Sequence, residues 1–141
     1  MSDTYHLERF VAAQDQGGVY DSAVSELRAG HKTGHWMWFV FPQIAGLGES
    51  AMSRRYAIGS LDEARAYLDH PVLGARLAEC ARILSERDDL SAVEIFGSVD
   101  AQKLRSSMTL FARAAPADPV FQMVLDRYFA GSADEHTERR L

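Results

Sequence analysis

His35-Trp36-Met37-Trp38-Phe39-Val40-Phe41-Pro42-Gln43 is the stretch that decides how this chain is read. Nine residues hold both tryptophans, two of the seven phenylalanines, a histidine and a closing Pro-Gln. Such a segment is either the central element of a core or the wall of a binding site with a few fixed polar groups. Trp36, Phe39 and Val40 share a helical face, whereas Trp36, Trp38 and Val40 share a strand face, and periodicity does not separate the two over so short a span. A short helix ended by Pro42 is the expectation, because no second strand is evident to pair with it.

Outward from this run, the chain reads as helix after helix. Leu7, Phe10 and Val11 recur at helical spacing, predicting a first helix from Asp3, a candidate N-cap, to about Gln14. Gly17-Gly18 breaks it, and Tyr20, Ala23, Val24 and Leu27 mark a second helix that Gly30 stops. Residues 31–34 form a polar, basic connector. Beyond the aromatic run, residues 43–53 read as a loop with Gly46 and Gly48. Ser60-Leu61-Asp62-Glu63 is a capping box opening a helix to about Leu68. Pro71, after His70 as a helix-start residue, suits the first position of the next helix, which buries Leu73, Leu77, Cys80, Ala81 and Leu84. Ser91-Ala92-Val93-Glu94 is a second box, for a short helix through Phe96 that Gly97 ends. Asp100 is expected to cap a helix with Leu104, Met108, Phe111 and Ala115 along one face. Asp118 and Pro119 open another, carrying Phe121, Val124, Leu125 and Tyr128 and ended by Gly131, and Ser132 to Glu135 makes a third box.

These signals, with no valine- or isoleucine-rich alternation, predict an all-α fold: one compact domain over residues 1–141, with about seven or eight short helices around an aromatic core. Helices this short are unstable alone, so their order has to come from packing. A chain of 141 residues buries roughly 70% of the surface its unfolded form exposes. The net charge of −5 argues against general nucleic-acid binding. A single cysteine, Cys80, excludes an internal disulfide and any cysteine-based metal site, which fits a reducing cytoplasm. Residues 1–15 lack the apolar core of a signal peptide, and no stretch reaches the ~20 apolar residues of a membrane span. The oligomeric state has no signature here.

The aromatic run, together with Gly46-Leu47-Gly48, Ser53-Arg54-Arg55-Tyr56, His70-Pro71-Val72-Leu73-Gly74, Ile95-Phe96-Gly97 and Lys103-Leu104-Arg105-Ser106-Ser107-Met108-Thr109-Leu110-Phe111, resembles the family known as domain of unknown function 1810. The resemblance covers nearly the whole chain. It implies an all-α bacterial-type cytoplasmic domain and no established activity. Some members carry the label calpastatin, but calpain inhibition of that kind belongs to disordered, proline-rich chains, and this chain is built to fold.

Three blocks carry candidate chemistry. In the aromatic segment, core packing is the plain reading, yet a core needs neither His35 beside two indoles nor Gln43 after Pro42. His or Gln could satisfy a buried Trp N–H; alternatively Trp36 and Trp38 face a planar ligand whose edge Gln43 reads, with Gly46 and Gly48 admitting close backbone approach. In residues 103–109, Lys103 would contact an anion and Ser106 and Ser107 would complete its shell, unless these small residues serve only close helix packing. Arg54 could supply bidentate anion recognition if it faces the Gly46–Gly48 loop, although paired arginines are usually solvated. His35 is the one histidine placed to act as an acid or base, should its neighbours bury it. No histidine pair has ligand spacing and no Gly-x-Ser-x-Gly elbow exists, so neither metal, cofactor nor nucleophile is indicated, and Cys80 reads as inert core. The leading expectation is a domain binding a planar, anionic small molecule, nucleotide or ADP-ribose-like, between residues 35–48 and the helix carrying residues 103–109. The competing expectation is a protein-interaction or adaptor domain with no small-molecule site. No reaction is identified.

Overall fold

The order of elements is α1 (Glu8–Asp15), a 3-10 turn (Gln16–Gly18), α2 (Val19–Ala29), α3 (Met37–Val40), α4 (Ala51–Arg55), α5 (Leu61–Asp69), α6 (Leu73–Glu86), α7 (Ala92–Phe96), α8 (Ser98–Ala114), α9 (Val120–Phe129) and α10 (Glu135–Glu138). This computed structural model describes residues 3–141; Met1 and Ser2, part of the stretch read as leader-free, lie outside them. Among the described residues there is no strand, only an isolated parallel bridge between Ile44 and Ile58. The long helix α8 is the axis of the single domain, packed by α5, α7, α9 and α10 and touched by α3.

The aromatic run is helical over Met37–Val40, and all of it except Trp38 and its two ends is buried. It joins two groups of rings. Trp36 and Phe41 meet each other at 6.2 Å and both meet Phe96 of α7. On the other side, Phe39 meets Tyr56 at 5.3 Å, and the rings continue through Phe10, Tyr67, Phe111 and Phe121. Most of these contacts are edge-on or tilted, the arrangement that the ring quadrupoles favour.

A four-residue helix leaves its later carbonyls without intrahelical partners, so they must be satisfied from outside. The Phe39 carbonyl accepts hydrogen bonds from Gln14 Nε2 (2.7 Å) and from the Tyr67 hydroxyl (3.3 Å). Gln14 also donates to Tyr67 and accepts from Arg76, whose other nitrogen pairs with Asp15 at 2.7 Å. Gln14 and Tyr67 are fully buried, so this is a satisfied polar network inside the core.

Helix ends depart from the sequence reading in instructive ways. Asp3 does accept from the Leu7 and Glu8 amides, but an intervening turn, with His6 at positive φ, delays α1 until Glu8. Ser60 caps α5, but Glu63 bonds the Gly59 amide and Arg9 rather than closing the box on Ser60. The Ser91–Glu94 box is complete. Pro71 lies in a turn, α6 begins at Leu73, and His70 Nδ1 accepts from the Val72 and Leu73 amides. Asp100 is not a cap: α8 starts directly after Gly97, and Asp100 sits in its first turn. The cap of α10 is Asp134 rather than Ser132, because Asp134 alone reaches the Thr137 amide. The expected loop over 43–53 contains the start of α4, capped by Ser50.

Helices α5 and α6 approach so closely at Gly74 that a Cβ there would lie 2.0 Å from the Leu68 carbonyl oxygen. Gly74→Ala therefore has to push two helices apart and should cost about 1–3 kcal/mol in denaturant unfolding. Unchanged stability would contradict this helix contact.

Candidate functional site

The loop between α2 and α3 is organised by one carboxylate. Glu26 Oε1 accepts from the Thr33 amide (2.7 Å), the Gly34 amide (2.9 Å) and Trp36 Nε1 (3.0 Å). Burial works to raise its pKa, but these three donors hold it below the ordinary carboxylate value. The buried indole N–H thus finds its partner in Glu26, not in a histidine or Gln43. Trp36 is 2% exposed and belongs to the core.

With this loop fixed, Lys32 is swung over the start of α8. Its ammonium pairs with Asp100 at 2.7 Å, donates to the Gly34 carbonyl and lies 5.1 Å from the Trp36 ring centroid. Lys103, one turn on from Asp100, pairs with the same carboxylate at 3.1 Å and stands 4.7 Å from the centroid of Trp38. Burial opposes ionisation of Asp100, and the two ammoniums more than offset it, keeping its pKa low.

These groups line a cleft of 380 Å³ bounded by His35, Trp38, residues 97–100 of the α8 start, Lys32 and Lys103. Trp38 is half-buried, with one face toward this space. No side chain caps the N-terminus of α8. Two ammoniums and the positive end of a 17-residue helix therefore oppose a single carboxylate. His35 is exposed on the rim rather than buried by its neighbours.

A second cleft, of 290 Å³, opens further along α8, lined by Gln43, Gly46, Gln102, Ser106, Asp134, His136 and Arg140. Its base is built on Asp134, which accepts from Gln102 (3.1 Å), Ser106 (3.0 Å), the Thr137 hydroxyl (2.6 Å) and the Thr137 amide (3.1 Å). Asp134 is buried, which raises its pKa, yet these donors leave it below the usual value. This network fastens α10 to α8 and gives Ser106 and Thr109 their role in the middle of a long helix.

The family model described as protein of unknown function (DUF1810) matches residues 4–141. The chain belongs to this family. A conserved hypothetical protein from Mycobacterium tuberculosis has a crystal structure similar to this DUF1810 domain. The two share 52% identity and a TM-score of 0.95, over 99% of this chain and 98% of that one. No curated protein matches the chain.

In this DUF1810 domain the residues singled out from sequence fall in four places. Trp38 and Lys103 face each other in the first cleft, with His35 at its edge. Gln43, Gly46 and Ser106 line the second. Trp36 and Ser107 are sealed in the interior, Ser107 with no hydrogen-bond partner for its hydroxyl. Gly48 packs against Ser53, and Arg54 is exposed on α4; neither lines a cleft. The region between the two blocks holds two clefts, one with Trp38 and Lys103 and the other with Gln43, Gly46 and Ser106. Sequence reasoning missed Lys32, Asp100 as its ion-pair partner, Asp134 and Arg140; only the basic character of residues 31–34 hinted at the first. Cys80 is fully buried and its thiol is pushed up to about 12 by desolvation, which makes it inert. Among the described residues no group of histidine, cysteine and acidic side chains has metal-site geometry. Nor is any helix among the described residues long and apolar enough to cross a membrane.

Glu26 provides a pH test of this architecture. A carboxylate with a depressed folded-state pKa contributes stability that is present above its unfolded value, 4.5, and lost as pH falls through the folded one. Glu26→Gln should cost about 1–2 kcal/mol at neutral pH, since the carboxylate is partly solvated, and should make the loss of stability on acidification shallower. Parallel pH-stability curves for variant and wild type would contradict this role.

Proposed function

We propose that this protein is a binding domain for a planar, anionic small molecule of the nucleotide or ADP-ribose class, seated in the Trp38 cleft. The observation that carries the reading is the meeting of an open indole with two ammoniums and an uncapped helix N-terminus. Trp38 offers a flat apolar surface for a base to stack on. Lys103 and Lys32 supply the charge, and the α8 start supplies backbone amides for a phosphate or carboxylate. Asp100 keeps both ammoniums in place before a ligand arrives, which lowers the ordering cost of binding. An interaction or adaptor domain would not need the one unsealed indole to face a positively charged hollow.

The test is a thermal-shift screen against nucleotides, NAD-derived metabolites and small anions, repeated with Trp38→Ala and Lys103→Ala. A ligand at a hundred times its dissociation constant stabilises the native state by about 2.7 kcal/mol. Both variants should fold, since each removes a half-exposed side chain, and both should lose that stabilisation. A screen with no stabilising compound, or a shift that survives both substitutions, would contradict the reading and favour the interaction domain.

A further inference from the structure

The last turn of the chain holds a cation that the fold does not use. Each acid of the α10 segment is already engaged: Asp134 takes its four hydrogen bonds, Glu135 pairs with Arg139 at 3.7 Å, and Glu138 pairs with Arg113. Arg140 comes next, and its guanidinium has no hydrogen bond, ion pair or ring contact among the described residues. The residue is exposed, and its guanidinium lies against Gly46. A Cβ on Gly46 would fall 2.7 Å from Arg140 Nη1 and 3.0 Å from Cζ, and Gly46 has φ +96°, where side chains are disfavoured. The backbone of the 43–48 loop therefore lies directly along the guanidinium.

Side chains able to donate make up much of the remaining lining. Gln43 and His136 line the same 290 Å³ cleft, and the Gln43 side-chain amide is likewise without a partner among the described residues. The one carboxylate lining the cleft, Asp134, is 4% exposed and turned into its own hydrogen bonds. An incoming anion would thus meet a planar fork of N–H groups, an amide and an imidazole, while the Asp134 carboxylate is buried and engaged by four hydrogen bonds of its own.

We infer that this second cleft is an oxyanion-binding site in which Arg140 grips a phosphate or carboxylate group bidentately, with Gln43 and His136 as flanking donors. A guanidinium is suited to this because its N–H groups match the spacing of two oxygens on one centre. The site shares no lining residue with the Trp38 cleft, so either can fail without the other.

The test uses wild-type protein at constant ionic strength held with chloride. Inorganic phosphate and, in a separate arm, acetate are titrated in while the Arg140 Nε–H resonance is followed by NMR; the signal missing from Arg140→Lys assigns it. Saturable displacement of that resonance is the expected result, and the arm with the tighter binding shows whether the occupant carries a phosphate or a carboxylate. Arg140→Gln, which removes no hydrogen bond, ion pair or ring contact of the fold, should weaken anion-dependent thermal stabilisation by about tenfold or more in apparent affinity. Lys103→Ala silences the Trp38 cleft, so it is read at the Arg140 resonance alone, whose saturable displacement should persist. A resonance that responds no differently from chloride alone, or an Arg140→Gln variant that binds as the wild type does, overturns the assignment.

Discussion

The carbonyl of Phe39 is the point on which the structure turns. It ends a helix of one turn that cannot hold itself together, and two buried side chains from different helices, Gln14 of α1 and Tyr67 of α5, converge on it. Without that clamp, nothing local would keep residues 36–41 in the one conformation that sends Trp36 and Phe41 to one ring cluster, Phe39 to the other, and Trp38 outward. The network is also closed. Arg76 satisfies Gln14 and is itself balanced by Asp15, so no buried donor is left to weaken it.

Glu26 makes the second attachment, from the opposite end of the segment. Its three hydrogen bonds set the loop before Trp36 and so determine where Lys32 stands. The first cleft is therefore a product of core architecture rather than of loops added to it. One indole of the aromatic run is consumed as core and the other is left open, only two residues away. Asp100 and the two lysines then fix the charge around the open one.

The fold class was legible in the sequence because its signals are local: capping residues, glycine stops and helical spacing of apolar residues each act within one turn. The short helix at the aromatic run followed from Pro42 and the absence of a partner strand. The caps that were misplaced show where local reading ends. Asp134 displaces Ser132 because Gln102, Ser106 and Thr109, from the distant α8 helix, bind it into place. Glu63 leaves its box because Arg9 competes for its carboxylate. The same limit applies to the clefts. Trp38 and Lys103 could be picked out as unusual, but their meeting depends on α3 crossing α8, and Arg140 has no signal at all until the chain folds it against Gly46.

The central claim is that Trp38 is the open face of an otherwise closed aromatic core and lies in a positive field. Collisional quenching of tryptophan fluorescence measures both properties at once. In a Trp36→Phe variant, which leaves Trp38 as the sole indole, iodide should quench strongly and caesium weakly. In Trp38→Phe, the remaining Trp36 should be shielded from both ions. Equal quenching of Trp38 by the two ions would contradict the positive field, and a Trp38 inaccessible to iodide would contradict the open face.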